Sequence, residues 1–158
     1  MRMLVLGAGL QGSACAYDLL QQPGVERVTI ADVKPERIPG FLKAYVGKRL
    51  VLLKLDVQDG AALRAAMVGH EAVQNAAPYH FNLEVSRAAV DTGVHDADLG
   101  GNTEIVFKQK DLDADAKQRR VSVIPDCGLA PGMGRAARRR SCAEARCAWR
   151  HFGQRAHP

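Results

Sequence analysis

No apolar run in the sequence approaches the roughly 18–20 residues that a bilayer-crossing helix requires, which argues against a membrane span. The apolar run near the amino terminus, Met3–Leu6, is also too short for the core of a secretory signal. A soluble, cytoplasmic protein with no membrane partner is therefore expected. Cysteine is sparse: Cys15, Cys127, Cys142 and Cys147 show no disulfide-framework spacing, as suits a reducing compartment. Only three residues separate Cys147 from His151, where a Cys2His2 finger leaves about 12. Cys142, Cys147, His151 and His157 thus make no zinc site, and no metal is expected. Lysine is missing altogether from residues 134–158, which hold seven Arg and one acid, Glu144. They contribute +6 to a net charge of +5, so residues 1–133, with 15 basic and 16 acidic residues, carry −1. A nearly neutral body does not suggest a nucleic-acid partner.

The stretch Met3–Gly12 organises the chain. Apolar residues run into Gly7-Ala8-Gly9-Leu10-Gln11-Gly12, a G-x-G-x-x-G, and a helical pattern follows from Ser13 to about Gln22. Gly7 permits the tight turn out of the strand. Gly9, without a Cβ, lets backbone approach a pyrophosphate, and Gly12 lets the helix pack on the strand. The helix start, including Leu10 and Gln11, then offers free N–H groups and partial positive charge to phosphates. Asp32 stands 20 positions beyond Gly12, at the end of a second apolar strand, where a carboxylate accepts ribose hydroxyls. It repels a 2′-phosphate, which favours NAD. Lys34 and Arg37 can accommodate that phosphate and keep NADP open.

Strands are expected at Arg2–Leu6, Arg27–Ala31, Arg49–Leu55, Glu71–Gln74, Val94–Leu99 and Val121–Pro125. Helical segments are expected after Gly12, over Pro35–Val46 with a break near Pro39-Gly40, and over Ala61–Met67, Phe81–Thr92 and Thr103–Gln118. The continuous apolar character of Leu4-Val5-Leu6 marks a strand buried on both faces. The β-α alternation therefore predicts a doubly wound parallel sheet of Rossmann type. Asp56 and Val57, after the third strand, are placed beside the adenine by fold analogy, although a helix-capping role serves Asp56 (or Asp59) equally well. Asn75-Ala76-Ala77-Pro78, at the end of the fourth strand, leave room for the nicotinamide ribose. Thr103 is the expected cap of the following helix. Candidates bordering the nicotinamide are Tyr79, His80, Asp98, Asn102, Asp126 and Cys127. A carboxylate there could bind a substrate ammonium or move a proton, whereas Cys127 could equally be inert packing. No Tyr is followed four residues later by Lys, which disfavours a short-chain dehydrogenase.

Four segments, GAGLQG at 7–12, NAAP at 75–78, GVHDADLGGN at 93–102 and IPDCGLAPGM at 124–133, give residues 1–133 a resemblance to the amino-terminal NAD(P)-binding domain of saccharopine dehydrogenase-like proteins. The bacterial lysine 6-dehydrogenase branch looks most similar. The resemblance implies oxidation or reduction of a carbon–nitrogen bond in a small amino-acid substrate, within lysine metabolism. It also implies that Asp98 and Cys127 lie beside the hydride-transfer centre. His80, expected at the start of a helix, is a further catalytic candidate as a base, although an exposed N-terminal residue is the commoner role for such a histidine. The resemblance stops at Met133. Residues 134–158 have poor apolar periodicity and the composition of a GC-rich gene read out of frame, so a basic, irregular tail after an incomplete domain is expected, with a genuine basic tail as the other reading. An incomplete sheet would expose an edge and favour a homo-oligomer. A stand-alone NAD(H)-binding module without catalysis is the alternative to an enzyme.

Overall fold

The computed structural model describes residues 1–128 of the chain. The strands are β1 (Arg2–Leu6), β2 (Arg27–Asp32), β3 (Leu50–Lys54), β4 (Ala72–Asn75), β5 (His95–Asp98) and β6 (Val123–Ile124). The helices are α1 (Leu10–Gln21), α2 (Gly40–Lys43), α3 (Gly60–Met67), α4 (Asn82–Thr92), α5 (Thr103–Lys110) and α6 (Asp113–Arg119), with 3-10 turns at Pro35–Arg37 and Tyr79–Phe81. The strands form one six-stranded sheet in the order β3-β2-β1-β4-β5-β6, and every pairing is parallel. The order reverses between β1 and β4. At such a switch point the loops leaving the two strands diverge and open a crevice at their carboxyl ends.

Side-chain alternation along β1 builds two cores, one on each face. Leu4 and Leu6 pack with Val73, Leu63, Met67, Val85 and Ala88 beneath α3 and α4. Val5 packs with Val28, Ile30, Ala16, Leu20 and Leu42 beneath α1 and α2. Each such fully buried aliphatic side chain contributes about 1.5–3 kcal/mol, so β1 anchors both layers and holds the glycine loop that leaves it. No helix of the described residues is long and apolar enough to cross a membrane.

Several boundaries differ from the sequence expectation, each for a local reason. The helical segment expected over Pro35–Val46, with a break near Pro39-Gly40, is shorter than expected and breaks there into the 3-10 turn and α2. Ile38, ahead of Pro39, is extended at φ −61° and ψ 147°, as proline demands of its predecessor. The helix expected over Thr103–Gln118 divides into α5 and α6. Asp111 and Leu112 donate three residues back, to Lys108 O and Gln109 O, which tightens the turn and resets the axis. Asn102 rather than Thr103 caps α5, accepting from Glu104 N and Ile105 N. Asp59 caps α3, accepting from Ala61 N and Ala62 N, while Asp56 Oδ1 accepts from Gln58 N in its own turn at 3.0 Å. Val121 falls outside β6 because its N–H closes α6 on Ala116 O at 3.0 Å. β4 runs one residue later than expected, and the 3-10 turn before α4 holds His80 outside the helix.

Candidate functional site

The loop from β1 into α1 is shaped by three glycines in three different ways. Gly7 has φ +98°, and a Cβ there would lie 2.9 Å from Ala76 O. A Cβ on Gly12 would lie 2.0 Å from Gly7 O, so α1 reaches the strand only because that atom is missing. At Gly9 a Cβ would meet nothing within 4 Å among the described residues, and the space above the loop there suits a ligand. Gly9 is also the N-cap of α1; no side chain caps the helix, and its first turn holds no acid. The first-turn N–H groups and the positive end of the helix dipole are left for an anion. From below, Ser13 Oγ donates to Ala8 O at 3.0 Å and ties the helix to the loop.

Asp32 ends β2 directly opposite. Its Oδ2 accepts from Ala8 N at 2.7 Å and its Oδ1 from Lys34 N at 2.8 Å. The carboxylate is thus fixed against the glycine loop, and each oxygen keeps lone-pair capacity for a hydroxyl. A cleft of about 390 Å³ brings Gly7, Gly9 and Asp32 together with Asp56, Val57, Ala76, Ala77 and Pro78. These come from the carboxyl ends of β1 to β4, on both sides of the switch point. A neighbouring cleft of about 590 Å³ adds Leu10, Lys34 and Arg37 around Asp32. Leu10 and Gln11 are exposed, and Gly12 is buried behind them. Asn75 is buried and works from beneath: its Nδ2 donates to Asn82 Oδ1 at 3.0 Å, and its Oδ1 accepts from Ala77 N at 3.0 Å. It therefore sets the path of Ala76–Pro78. An open glycine loop, an uncapped helix start and a carboxylate at the end of β2 fit a dinucleotide of nicotinamide type.

The remaining candidates lie at the ends of β4 to β6 and line neither cleft. His80 is exposed and packs between Tyr79 and Phe81, with ring centroids 5.7 and 4.1 Å away. Cys127 Sγ donates to Ile124 O at 3.4 Å. Burial, then the charges of Asp98, Asp126 and Asp96, push its thiol up, away from the reactive thiolate. Asp98 is fully buried. Its Oδ1 accepts from Gly100 N at 2.6 Å and Asp126 N at 3.1 Å, and its Oδ2 accepts from Gln109 Nε2 at 2.6 Å. Asn102 is taken up by capping α5, and Asp126 adopts φ 59°.

Sequence reasoning missed Ser86, Asp96 and Gln109, all buried beside Asp98. Burial, reinforced by Asp98 and opposed by the Ser86 hydrogen bond, raises Asp96 to about 7. The available signal was two acids at alternate positions of a strand due to be buried. Among the described residues, no three His, Cys, Asp or Glu side chains gather as a metal site. Residues 134–158, read above as an irregular basic tail, and the domain boundary at Met133 lie outside the described residues.

The family described as "Saccharopine dehydrogenase NADP binding domain" matches residues 3–124. Among solved structures, apo saccharopine dehydrogenase (L-Glu forming) from Saccharomyces cerevisiae is 21% identical with a TM-score of 0.71, over 90% of this chain and 31% of that one. A Rossmann-fold NAD(P)-binding family protein from Shigella flexneri is 17% identical with a TM-score of 0.56, over 78% and 66%. A short-chain dehydrogenase/reductase from Veillonella parvula in complex with NADP is 12% identical with a TM-score of 0.55, over 78% and 67%. These likenesses carry the fold, and this chain spans about a third of the yeast enzyme. Since the family match covers most of its length, the chain belongs to the saccharopine dehydrogenase NADP-binding-domain family.

Proposed function

We propose that this chain is the dinucleotide-binding domain of a nicotinamide-dependent oxidoreductase acting on a carbon–nitrogen bond of an amino acid, of saccharopine dehydrogenase or lysine 6-dehydrogenase type. The observation that carries the reading is the loop Gly7–Gly12, open above Gly9, at the uncapped start of α1. The family match supports it. Gly9, Leu10 and Gln11 hold the pyrophosphate by backbone N–H groups. Asp32 accepts the adenosine ribose hydroxyls, Asp56 and Val57 flank the adenine, and Asn75–Pro78 shape the space for the nicotinamide ribose. When bound, the nicotinamide gives or takes the hydride. The protein orients it and binds the amino acid. His80 and Cys127 are exposed at the rim and are the groups placed to meet a substrate. Asp98, buried and engaged by three donors, acts through the backbone it holds.

NAD(H) is the preferred cofactor on this reading, because a 2′-phosphate would meet the Asp32 carboxylate. The family description names NADP instead, and Lys34 and Arg37 line the cleft beside Asp32. Cofactor choice thus turns on the balance between one fixed anion and two cations. A second reading, a binding module without turnover, is favoured by the full engagement of Asp98 with three donors. The test follows cofactor absorbance with lysine and with saccharopine, in both directions, on the full chain. Turnover with either supports the enzyme. Cofactor binding without turnover supports the module.

A further inference from the structure

Ser86 on α4, Asp96 and Asp98 on β5 and Gln109 on α5 are all buried, at no more than 3% exposure. They form one hydrogen-bonded chain. Ser86 Oγ donates to Asp96 Oδ2 at 2.6 Å. Gln109 Nε2 donates to Ser86 Oγ at 2.8 Å and to Asp98 Oδ2 at 2.6 Å. Asp98 passes the connection to two loops, through Gly100 N and Asp126 N on its carboxylate and Cys127 N on its carbonyl at 2.8 Å. Those loops are tightly fitted to each other and to the turn after β4. A Cβ on Gly128 would lie 2.2 Å from Leu99 O, and one on Gly101 would lie 2.9 Å from Tyr79 Cβ. A fixed carboxylate at Asp98 therefore fixes the whole rim at the ends of β4, β5 and β6.

The donor inventory of this chain does not close. Ser86 spends its one hydroxyl proton and Gln109 both of its amide protons. Among the described residues, Asp96 Oδ1 and Gln109 Oε1 remain as buried acceptors with no partner. Buried polar atoms left unpaired are costly, and half-satisfied networks more so. A carboxylic acid at Asp96 supplies one donor to this acceptor-rich cluster.

We propose that Ser86 and Gln109 are positioning residues for the rim on which the nicotinamide end of the cofactor rests, and that a proton held on Asp96 completes the network that fixes them. This rests on the reading of the β4–β6 ends as the nicotinamide side of the site. The surroundings favour the neutral acid. On its own strand Asp96 shares a face with Asp98, while His95 occupies an alternate position, its Nδ1 accepting Ser122 N at 3.0 Å. Ser86 and Gln109 face it from α4 and α5, both uncharged, and Asp126 follows β6. Lys110, Asp113 and Lys117 line an exposed groove beside Gln109. The ion pairs among the described residues lie elsewhere, with none at Asp96. Ionisation of Asp96 near pH 7 removes that donor and sets a second buried charge near Asp98, which loosens the rim. The site is ordered when Asp96 is neutral.

Hydrogen exchange of the full chain between pH 6 and pH 8, corrected for intrinsic rates, tests this directly. With a midpoint of about 7, the neutral fraction of Asp96 falls roughly tenfold over that range. Protection of residues 99–102 and 126–127 should fall with it, while β1 and β2 stay unchanged. Asp96→Asn, which keeps an amide donor at every pH, should hold the same loops protected throughout. Ser86→Ala should lower their protection at both pH values. NADH and NADPH affinities, measured in parallel, should weaken with pH in the wild type and stay level in Asp96→Asn. Loops that respond to pH alike in wild type and Asp96→Asn overturn the proposal, and this comparison stands even if Ser86→Ala does not fold. Failure of both cofactors to bind at pH 6 would overturn the cofactor reading instead, whatever the exchange data show.

Discussion

Replacing Asp96 by asparagine should stabilise the protein increasingly as pH rises from about 4 to about 7 and leave its stability nearly unchanged below about pH 4. The magnitude follows from burial. Asp96 is 2% exposed and its acidity moves from 3.8 to about 7 on folding. An acid whose folded value is raised contributes stability that is fully present below its unfolded value, here about 3.8, and lost as pH rises through the folded value. Each unit between those limits costs about 1.4 kcal/mol, so the loss approaches about 4 kcal/mol by pH 8. Asparagine at this position carries no charge to bury and keeps the acceptor for Ser86. Urea denaturation followed by circular dichroism, at intervals from pH 4 to pH 8.5, measures both proteins. The wild type should fall steadily behind Asp96→Asn across that window and then run parallel to it above pH 8, with equal denaturant slopes. A stability difference that does not change with pH would refute the reasoning.

Other residues give independent tests. Gly12→Ala places a methyl 2.0 Å from Gly7 O, so α1 must lift from the strand. A thermal melt should show a loss of about 1–3 kcal/mol, as for an overpacked core, and cofactor titration should show weakened binding. Asp32→Ala removes the anion opposing a 2′-phosphate while leaving Lys34 and Arg37; the ratio of NADPH to NADH affinity should rise, and an unchanged ratio would remove Asp32 from the site. Asp59→Ala deletes the cap on Ala61 N and Ala62 N and should cost about 1 kcal/mol in urea denaturation without changing cofactor affinity.

The glycine loop, Asp32 and the β-α alternation were legible in the sequence because each is local. A turn at Gly7, a close approach at Gly12 and an acid at the end of β2 are dictated by residue type at fixed spacing. β1 matched its expected range because Leu4-Val5-Leu6 leaves no other periodicity to read. The helices with weak apolar spacing were less legible. The break at Pro39 was readable from the proline itself, whereas the Asp111-Leu112 turn divides α5 from α6 through backbone geometry that a helical pattern does not encode. The buried network was not legible at all. Ser86, Asp96, Asp98 and Gln109 lie on three elements, and only packing shows that Ser86 and Gln109 face the two acids. Their effect was visible only as the oddity of an acidic strand. The expected roles of Asp98 and Asn102 also depended on orientation: both side chains turn to backbone N–H groups.

Calorimetric titration of the full chain with NADH and with NADPH at pH 6 tests the central claim most directly. The account predicts binding of one dinucleotide per chain, tighter for NADH, abolished or strongly weakened by Gly12→Ala. Heat indistinguishable from dilution for both dinucleotides, from a chain shown to be folded, would contradict it.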